Sequence, residues 1–220
     1  MNVLIFGATG MVGLGVLREC LLDQSVEKVT IIGRTAMGQQ NPKLIEIVQR
    51  DLFDYSAIEA QLTGFDACFF CLGVSSAGMK EEEYRRLTYD LTMVAARTLA
   101  RLNPAMTFIY VSGAGTDSAE KGKSMWARVK GKTENDLMAL PFRGAYMFRP
   151  GLIQPLHGIR SKTKFYQAFL SGFGWLIAML KPLFYPKYMT TTEQMGRAMI
   201  GVARRGYPKR ILETADINAV

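Results

Sequence analysis

Apolar residues fall along this chain in short, nearly unbroken runs, separated by longer stretches with helical spacing. The runs Asn2–Phe6, Lys28–Ile32, Leu44–Gln49, Ala67–Leu72, Thr107–Ser112 and Gly144–Phe148 read as strands, rich in Val, Ile, Phe and Cys. Strands apolar on both sides need cover on both sides, which is the pattern of a parallel sheet between two helix layers. Helices are expected near Met11–Leu22, Tyr55–Leu62, Lys80–Leu102, Lys123–Ala139, Lys164–Leu180 and Thr192–Arg204, with a last short strand at Arg210–Glu213. The alternation predicts an α/β fold with a doubly wound parallel sheet. A chain of 220 residues, 49% of them hydrophobic, fills one substantial core, so a single domain is expected over 1–220. The irregular segment 154–190 is expected as a small extension on the substrate side.

The first strand runs straight into Gly7-Ala8-Thr9-Gly10-Met11-Val12-Gly13, and an amphipathic segment follows at once. Strand, glycine turn and helix opening are what pyrophosphate binding requires. Glycines let the backbone turn tightly and approach the phosphates, and the helix start offers free N–H donors and a partial positive charge. Gly7, Thr9, Gly10, Met11, Val12 and Gly13 are therefore candidate cofactor contacts. The bland alternative is a glycine-rich turn that only packs tightly.

Composition excludes several classes. Cys20, Cys68 and Cys71 are too few for a disulfide framework. Cys68 and Cys71 match C-x-x-C by letter, but residues three apart on a strand point to opposite faces, so two buried thiols are expected. With one histidine, His157, and no cysteine–histidine cluster, no metal site is expected. The apolar stretch 165–180 is broken by Gln167, Ser171, Gly172 and Gly174, so no transmembrane segment is expected. With the glycine turn so near the start, no signal peptide is expected before the first strand, and a cytoplasmic protein is expected.

The net charge of +8 is unevenly placed. Residues 1–120 carry 10 basic and 14 acidic side chains, whereas residues 121–220 carry 17 and 5. No nucleic-acid motif accompanies the basic half, so it reads as solvated surface with a few charges for an anionic cofactor. Phe165, Phe169, Phe173, Trp175, Leu176, Phe184 and Tyr185 have basic neighbours and suggest an interfacial membrane lip. A substrate-pocket wall or a homodimer contact is the plainer reading of the same segment.

The second strand ends at Gly33-Arg34, about 20 residues beyond the glycine turn. An acidic residue there holds the ribose 2′-hydroxyl of NAD, whereas an arginine accommodates the 2′-phosphate of NADP. Arg34 therefore favours NADP over NAD, against the alternative of a plain surface arginine. Asp51-Leu52 after the third strand and Cys71-Leu72-Gly73 after the fourth lie at the strand ends where open sheets bind ligands. Asp51 serves equally well as a helix cap.

Tyr110-Val111-Ser112 and, fourteen residues on, Trp126-Ala127-Arg128-Val129-Lys130 resemble the Ser…Tyr-x-x-x-Lys constellation of short-chain dehydrogenases/reductases. With glycines at 7, 10 and 13, and Arg149-Pro150-Gly151 after the sixth strand, the chain resembles the atypical and extended members of that superfamily, near the Tat-interacting-protein-like and epimerase-dehydratase-like branches. The resemblance implies a Rossmann fold. It also implies cofactor contacts from Asp51, Leu52, Cys71, Leu72, Gly73, Lys130, Pro150 and Ile153. Its catalytic set maps to Ser112, Lys130 and, at the tyrosine position, Trp126. An indole N–H donates a hydrogen bond but transfers no proton. Two functions are implied. One is an NADP(H)-dependent oxidoreductase or epimerase on a small carbonyl or sugar-nucleotide substrate. The other is a catalytically silent, NADP(H)-sensing module that contacts a protein partner.

Overall fold

The computed structural model describes residues 1–160 and 185–220. Seven parallel strands form the main sheet in the order β3-β2-β1-β4-β5-β6-β9. They are β1 (Asn2–Phe6), β2 (Lys28–Gly33), β3 (Leu44–Val48), β4 (Ala67–Phe70), β5 (Thr107–Val111), β6 (Gly144–Arg149) and β9 (Ile211–Glu213). The chain winds outward from β1 through β2 to β3, then returns to place β4 on β1's other side. That reversal opens a crevice beyond the C-terminal ends of β1 and β4, the usual ligand position in such sheets.

Period-two alternation explains why the sheet needs helices on both faces. On β1, Val3 and Ile5 join a core with Val16, Leu17, Cys20, Met195 and Met199. Leu4 and Phe6 join the opposite core with Phe70, Leu91, Leu99, Phe108 and Leu137. The first core lies under α1 (Met11–Leu22) and α5 (Thr192–Arg205). The second lies under α3 (Leu91–Leu102) and α4 (Met125–Met138). Cys68 belongs to the second core and Cys71 packs against the first, so the C-x-x-C pair is split by the sheet. Burial pushes both thiols up, Cys71 to about 12.

Several expected elements differ in detail. The segment expected as a helix at Tyr55–Leu62 is a 3₁₀ turn over Ser56–Gln61. Backbone bonds Ile58 N–H to Tyr55 O and Leu62 N–H to Glu59 O, both 3.0 Å, close three-residue rather than four-residue steps. The long helix expected at Lys80–Leu102 is α2 (Glu81–Arg85), a π-helical turn (Arg86–Asp90) and α3. From the first turn of α3, Thr92 Oγ1 donates to Thr88 O in the π-helical turn at 2.5 Å, and side-chain competition of this kind loosens the helical ladder.

Two short strands carry no local signal: β7 (Leu152–Gln154) pairs in parallel with β8 (Met189–Thr191) in a separate sheet. A last helix, α6 (Thr214–Ala219), starts on a capping box between Glu213 and Asp216. Thr191 caps α5 by accepting from Gln194 N–H at 3.0 Å. The helix expected at Lys164–Leu180 and the aromatic lip from Phe165 to Phe184 lie outside the described residues. Among the described residues, no helix is long and apolar enough to cross a membrane.

Candidate cofactor-binding site

β1 delivers the glycine turn to the crevice. Gly7 has φ +79°, a conformation L side chains rarely adopt, and a Cβ there would sit 2.7 Å from the Cys71 carbonyl carbon. A Cβ on Gly13 would come within 2.1 Å of Gly7 O, so the first turn of α1 packs directly on the loop. Gly10 N–H donates to Gly7 O at 2.9 Å, and the helical ladder begins with Leu14 N–H to Gly10 O at 2.8 Å. Gly10 caps α1 with no side-chain bond, and the first turn contains no acidic residue. The N–H groups of Met11 and Val12 therefore meet no helical acceptor. This is a cradle that side chains would fill, with donors at a positive helix end. It fits a pyrophosphate.

Beside the turn lies a cleft of about 180 Å³, lined by Gly7, Ala8, Thr9, Ile31–Met37, Glu46, Ile47, Leu52 and Leu72. Arg34 is exposed on its rim. Among the described residues its guanidinium has no hydrogen-bond or ion-pair partner. Leu52 is buried in the cleft wall, next to Ile47. Asp51 caps no helix: its Oδ1 accepts from Phe53 N–H at 2.8 Å in a local turn, while Asp54 accepts from Ser56 N–H. Cys71 N–H is already bonded to Phe6 O at 2.9 Å, and its thiol packs inward, which leaves its backbone carbonyl against Gly7. Gly73 is exposed beyond it.

Glu46 carries a role the sequence analysis missed. From β3 its Oε2 accepts from Met37 N–H at 2.7 Å and Gly38 N–H at 3.3 Å, and its Oε1 accepts from Gln39 N–H at 3.1 Å. The one available signal was a carboxylate inside the otherwise apolar run Leu44-Ile45-Glu46-Ile47-Val48.

The second cluster assembles Ser112, Trp126 and Lys130. Ser112 follows β5; its N–H donates to Phe148 O at 2.9 Å and its Oγ donates to the same carbonyl at 3.2 Å. Lys130, on α4, donates from Nζ to Ser112 O. Burial pushes the Lys130 ammonium down to about 8, with Glu134 one turn away acting in the opposite sense. The Trp126 indole lies beside Gly115, whose Cβ position is 3.5 Å from Trp126 Cη2. The four-residue spacing of Trp126 and Lys130 thus places both side chains beside the loop that carries Ser112.

Arg149 turns away from the crevice onto Glu134, and Pro150 O accepts from Ala114 N–H at 2.9 Å. Ile153 is buried on β7, in register with Thr190. The fold also gathers Glu19, His157 and Glu193, with ligand atoms within 4.8 Å of one another. Both carboxylates there are paired with arginine, Glu19 with Arg18 and Arg197, and Glu193 with Arg197.

A parallel sheet with a glycine-turn cradle at its switch point has the Rossmann architecture of dinucleotide-binding proteins. The chain belongs to the NAD(P)H-binding family, whose model matches residues 7–138. It is similar to Protein FMP52, mitochondrial, of Saccharomyces cerevisiae, at 31% identity over 177 residues, 79% of this chain and 71% of that one. It is likewise similar to Protein fmp52, mitochondrial, of Emericella nidulans, at 31% identity over 159 residues, 69% of this chain and 66% of that one. The chain thus spans about two thirds of the length of these curated relatives. A dTDP-glucose 4,6-dehydratase from Streptomyces venezuelae, solved with NAD, shares the fold with a TM-score of 0.72 at 16% identity, covering 97% of this chain and 75% of that one.

The expectation of a cytoplasmic protein is corrected by these relatives, which are named mitochondrial. That expectation rested on the start of the chain, and a cellular address is read by receptors from short signals that the hydrophobic pattern of a fold does not encode.

Proposed function

We propose that this protein binds NADP(H) and acts as an oxidoreductase on a small carbonyl or sugar-nucleotide substrate. The observation that carries the cofactor choice is Arg34. It stands on the cleft rim at the end of β2, without an internal partner among the described residues, where an NAD-selecting protein needs a carboxylate. A guanidinium recognises phosphate in a bidentate geometry and stacks on an adenine face. Met11 and Val12 N–H groups hold the pyrophosphate at the start of α1.

Bound NADPH supplies a hydride. Ser112 orients the substrate oxygen, its hydroxyl rotating away from Phe148 O, and Lys130 holds the ribose while its Nζ stays anchored on Ser112 O. Trp126 shapes the pocket without moving a proton, so the proton comes from a water molecule, directly or relayed through the Ser112 hydroxyl, which regains a proton from water as it gives one up. Loss of a positioned general acid costs on the order of 10²–10⁴-fold in rate, while alignment of the reactants still accelerates hydride transfer. The test is titration with NADPH, NADP⁺, NADH and NAD⁺ by calorimetry, on wild type and Arg34→Ala. Tight NADPH binding that collapses in the variant supports the reading, and equal affinity for NADH and NADPH in wild type removes it.

A second reading is favoured by one observation: the Ser112 hydroxyl and the Lys130 ammonium are both engaged by backbone carbonyls, beside an indole that has no transferable proton. On that reading the protein senses the cofactor and reports it to a protein partner. Ligand binding shifts a conformation only through different affinity for its two states. A partner recovered from cells and bound equally by apo, NADP⁺ and NADPH forms excludes it.

A further inference from the structure

The geometry points to Glu46 as the residue that sets cofactor selectivity from behind: its carboxylate holds the loop after β2 in the shape that leaves Arg34 free for a 2′-phosphate. This inference rests on the NADP(H) reading above. Glu46 and Arg34 are the two charged side chains lining the 180 Å³ cleft, and they face different tasks. Arg34 has no internal partner among the described residues. Glu46 accepts from three successive backbone N–H groups, those of Met37, Gly38 and Gln39, at 2.7, 3.3 and 3.1 Å.

Successive N–H groups converging on one point form an anion-binding concavity. Here the protein's own carboxylate fills it, so the loop offers a cofactor phosphate no backbone donors at 37–39. The guanidinium of Arg34 is left as the charge that reads the phosphate. The same three bonds set N–H dipoles against the negative charge of Glu46, which weakens the repulsion a free carboxylate would exert on a 2′-phosphate. Residues 34–36 are exposed, so little else restrains this stretch. A loop ordered before binding loses less entropy on binding. Glu46 is therefore a positioning residue acting through Arg34.

The experiment titrates NADPH and NADH against wild type, Glu46→Gln and Glu46→Asp, and repeats Glu46→Gln in an Arg34→Ala background. Losing the equivalent of one of the weaker charge-assisted bonds corresponds to roughly a tenfold rise in Kd. Glu46→Gln is expected to raise the NADPH Kd about tenfold while NADH changes less than about twofold. That unchanged NADH affinity also reports that the variant is folded. Glu46→Asp, which keeps the charge but withdraws it by one methylene, is expected to lose the preference as well. With Arg34 already removed, Glu46→Gln is expected to cost nothing further.

Tighter NADPH binding by Glu46→Gln would show that charge repulsion dominates and overturn the inference. Equal losses for both cofactors, or a wild-type preference kept in Glu46→Asp, would overturn it too. A wild type that does not prefer NADPH fails the parent reading instead, and the two failures are thereby distinct.

Discussion

The guanidinium of Arg149, at the end of β6, lies on the carboxylate of Glu134 in α4, with Nε 3.0 Å from Oε1 and 3.2 Å from Oε2. Glu134 is fully buried, and Arg149 also reaches Ser118 Oγ at 2.5 Å and Glu213 Oε1 at 3.4 Å. Since Glu134 lies one turn beyond Lys130, this pair fixes the lysine-bearing helix to the strand that leads into Pro150. Breaking a buried pair strands one charge, which costs about 3–5 kcal/mol, whereas replacing both partners with apolar groups costs far less. Glu134→Leu alone is expected to lower stability to urea by that amount. The double variant Glu134→Leu/Arg149→Met is expected to recover most of it.

Gly13 is expected to tolerate no side chain. Its Cβ would lie 2.1 Å from Gly7 O, and backbone cannot swing aside as a flexible side chain does. Overpacking typically costs about 1–3 kcal/mol, and here it pushes α1 off the glycine turn proposed above to hold the pyrophosphate. Gly13→Ala is expected to melt at lower temperature and to lose binding of NADPH and NADH together. Selective loss of NADPH alone would contradict this.

Lys130 makes a pH prediction with a definite sign. Burial holds its folded-state value at about 8, below the ordinary lysine value of 10.5. Between those values the unfolded chain keeps a proton that the folded chain has released, so folding is favoured as pH rises. Wild type is expected to gain stability relative to Lys130→Met from pH 8 to 10, with a flat difference below pH 7. Differencing the two proteins removes the titrations they share. A flat difference throughout would mean the lysine titrates as it does in water.

Trp126→Tyr restores a phenol four residues before Lys130, within reach of the same loop. If the oxidoreductase reading holds, NADPH oxidation with a panel of small carbonyl compounds is expected to rise on the order of 10²-fold, the lower end of what a general acid contributes. Unchanged NADPH affinity with no turnover of any carbonyl would favour the sensing module instead.

How much of this was legible in the sequence differs from element to element. The helix Met11–Leu22 and strand β1 are found where the apolar pattern placed them, because local spacing and the glycine turn both act within a dozen residues. The separation of Cys68 from Cys71 was equally readable, being a property of strand geometry alone. The interruption at Arg86–Asp90 was not, since a π-helical turn keeps a helical hydrophobic pattern while changing its hydrogen bonds. Nor were β7 and β8, three residues each, which pair across a long stretch of chain. Arg149 was legible as part of Arg-Pro-Gly, yet its partner Glu134 could be known only from the fold.

The amino-acid sequence by itself determined a parallel α/β sheet, the glycine turn after its first strand, the arginine at the end of β2 and the tryptophan four residues before Lys130. Each depends on residue type and on spacing within one element, and such short-range constraints survive in the linear string. Only the tertiary structure decided that Glu46 caps the loop beside Arg34, that Lys130 is buried against the Ser112 carbonyl, and that Glu134 meets Arg149. Those pairings join different strands, helices and loops. Their energy comes from burial and from hydrogen bonds that exist only once the sheet has brought distant segments together.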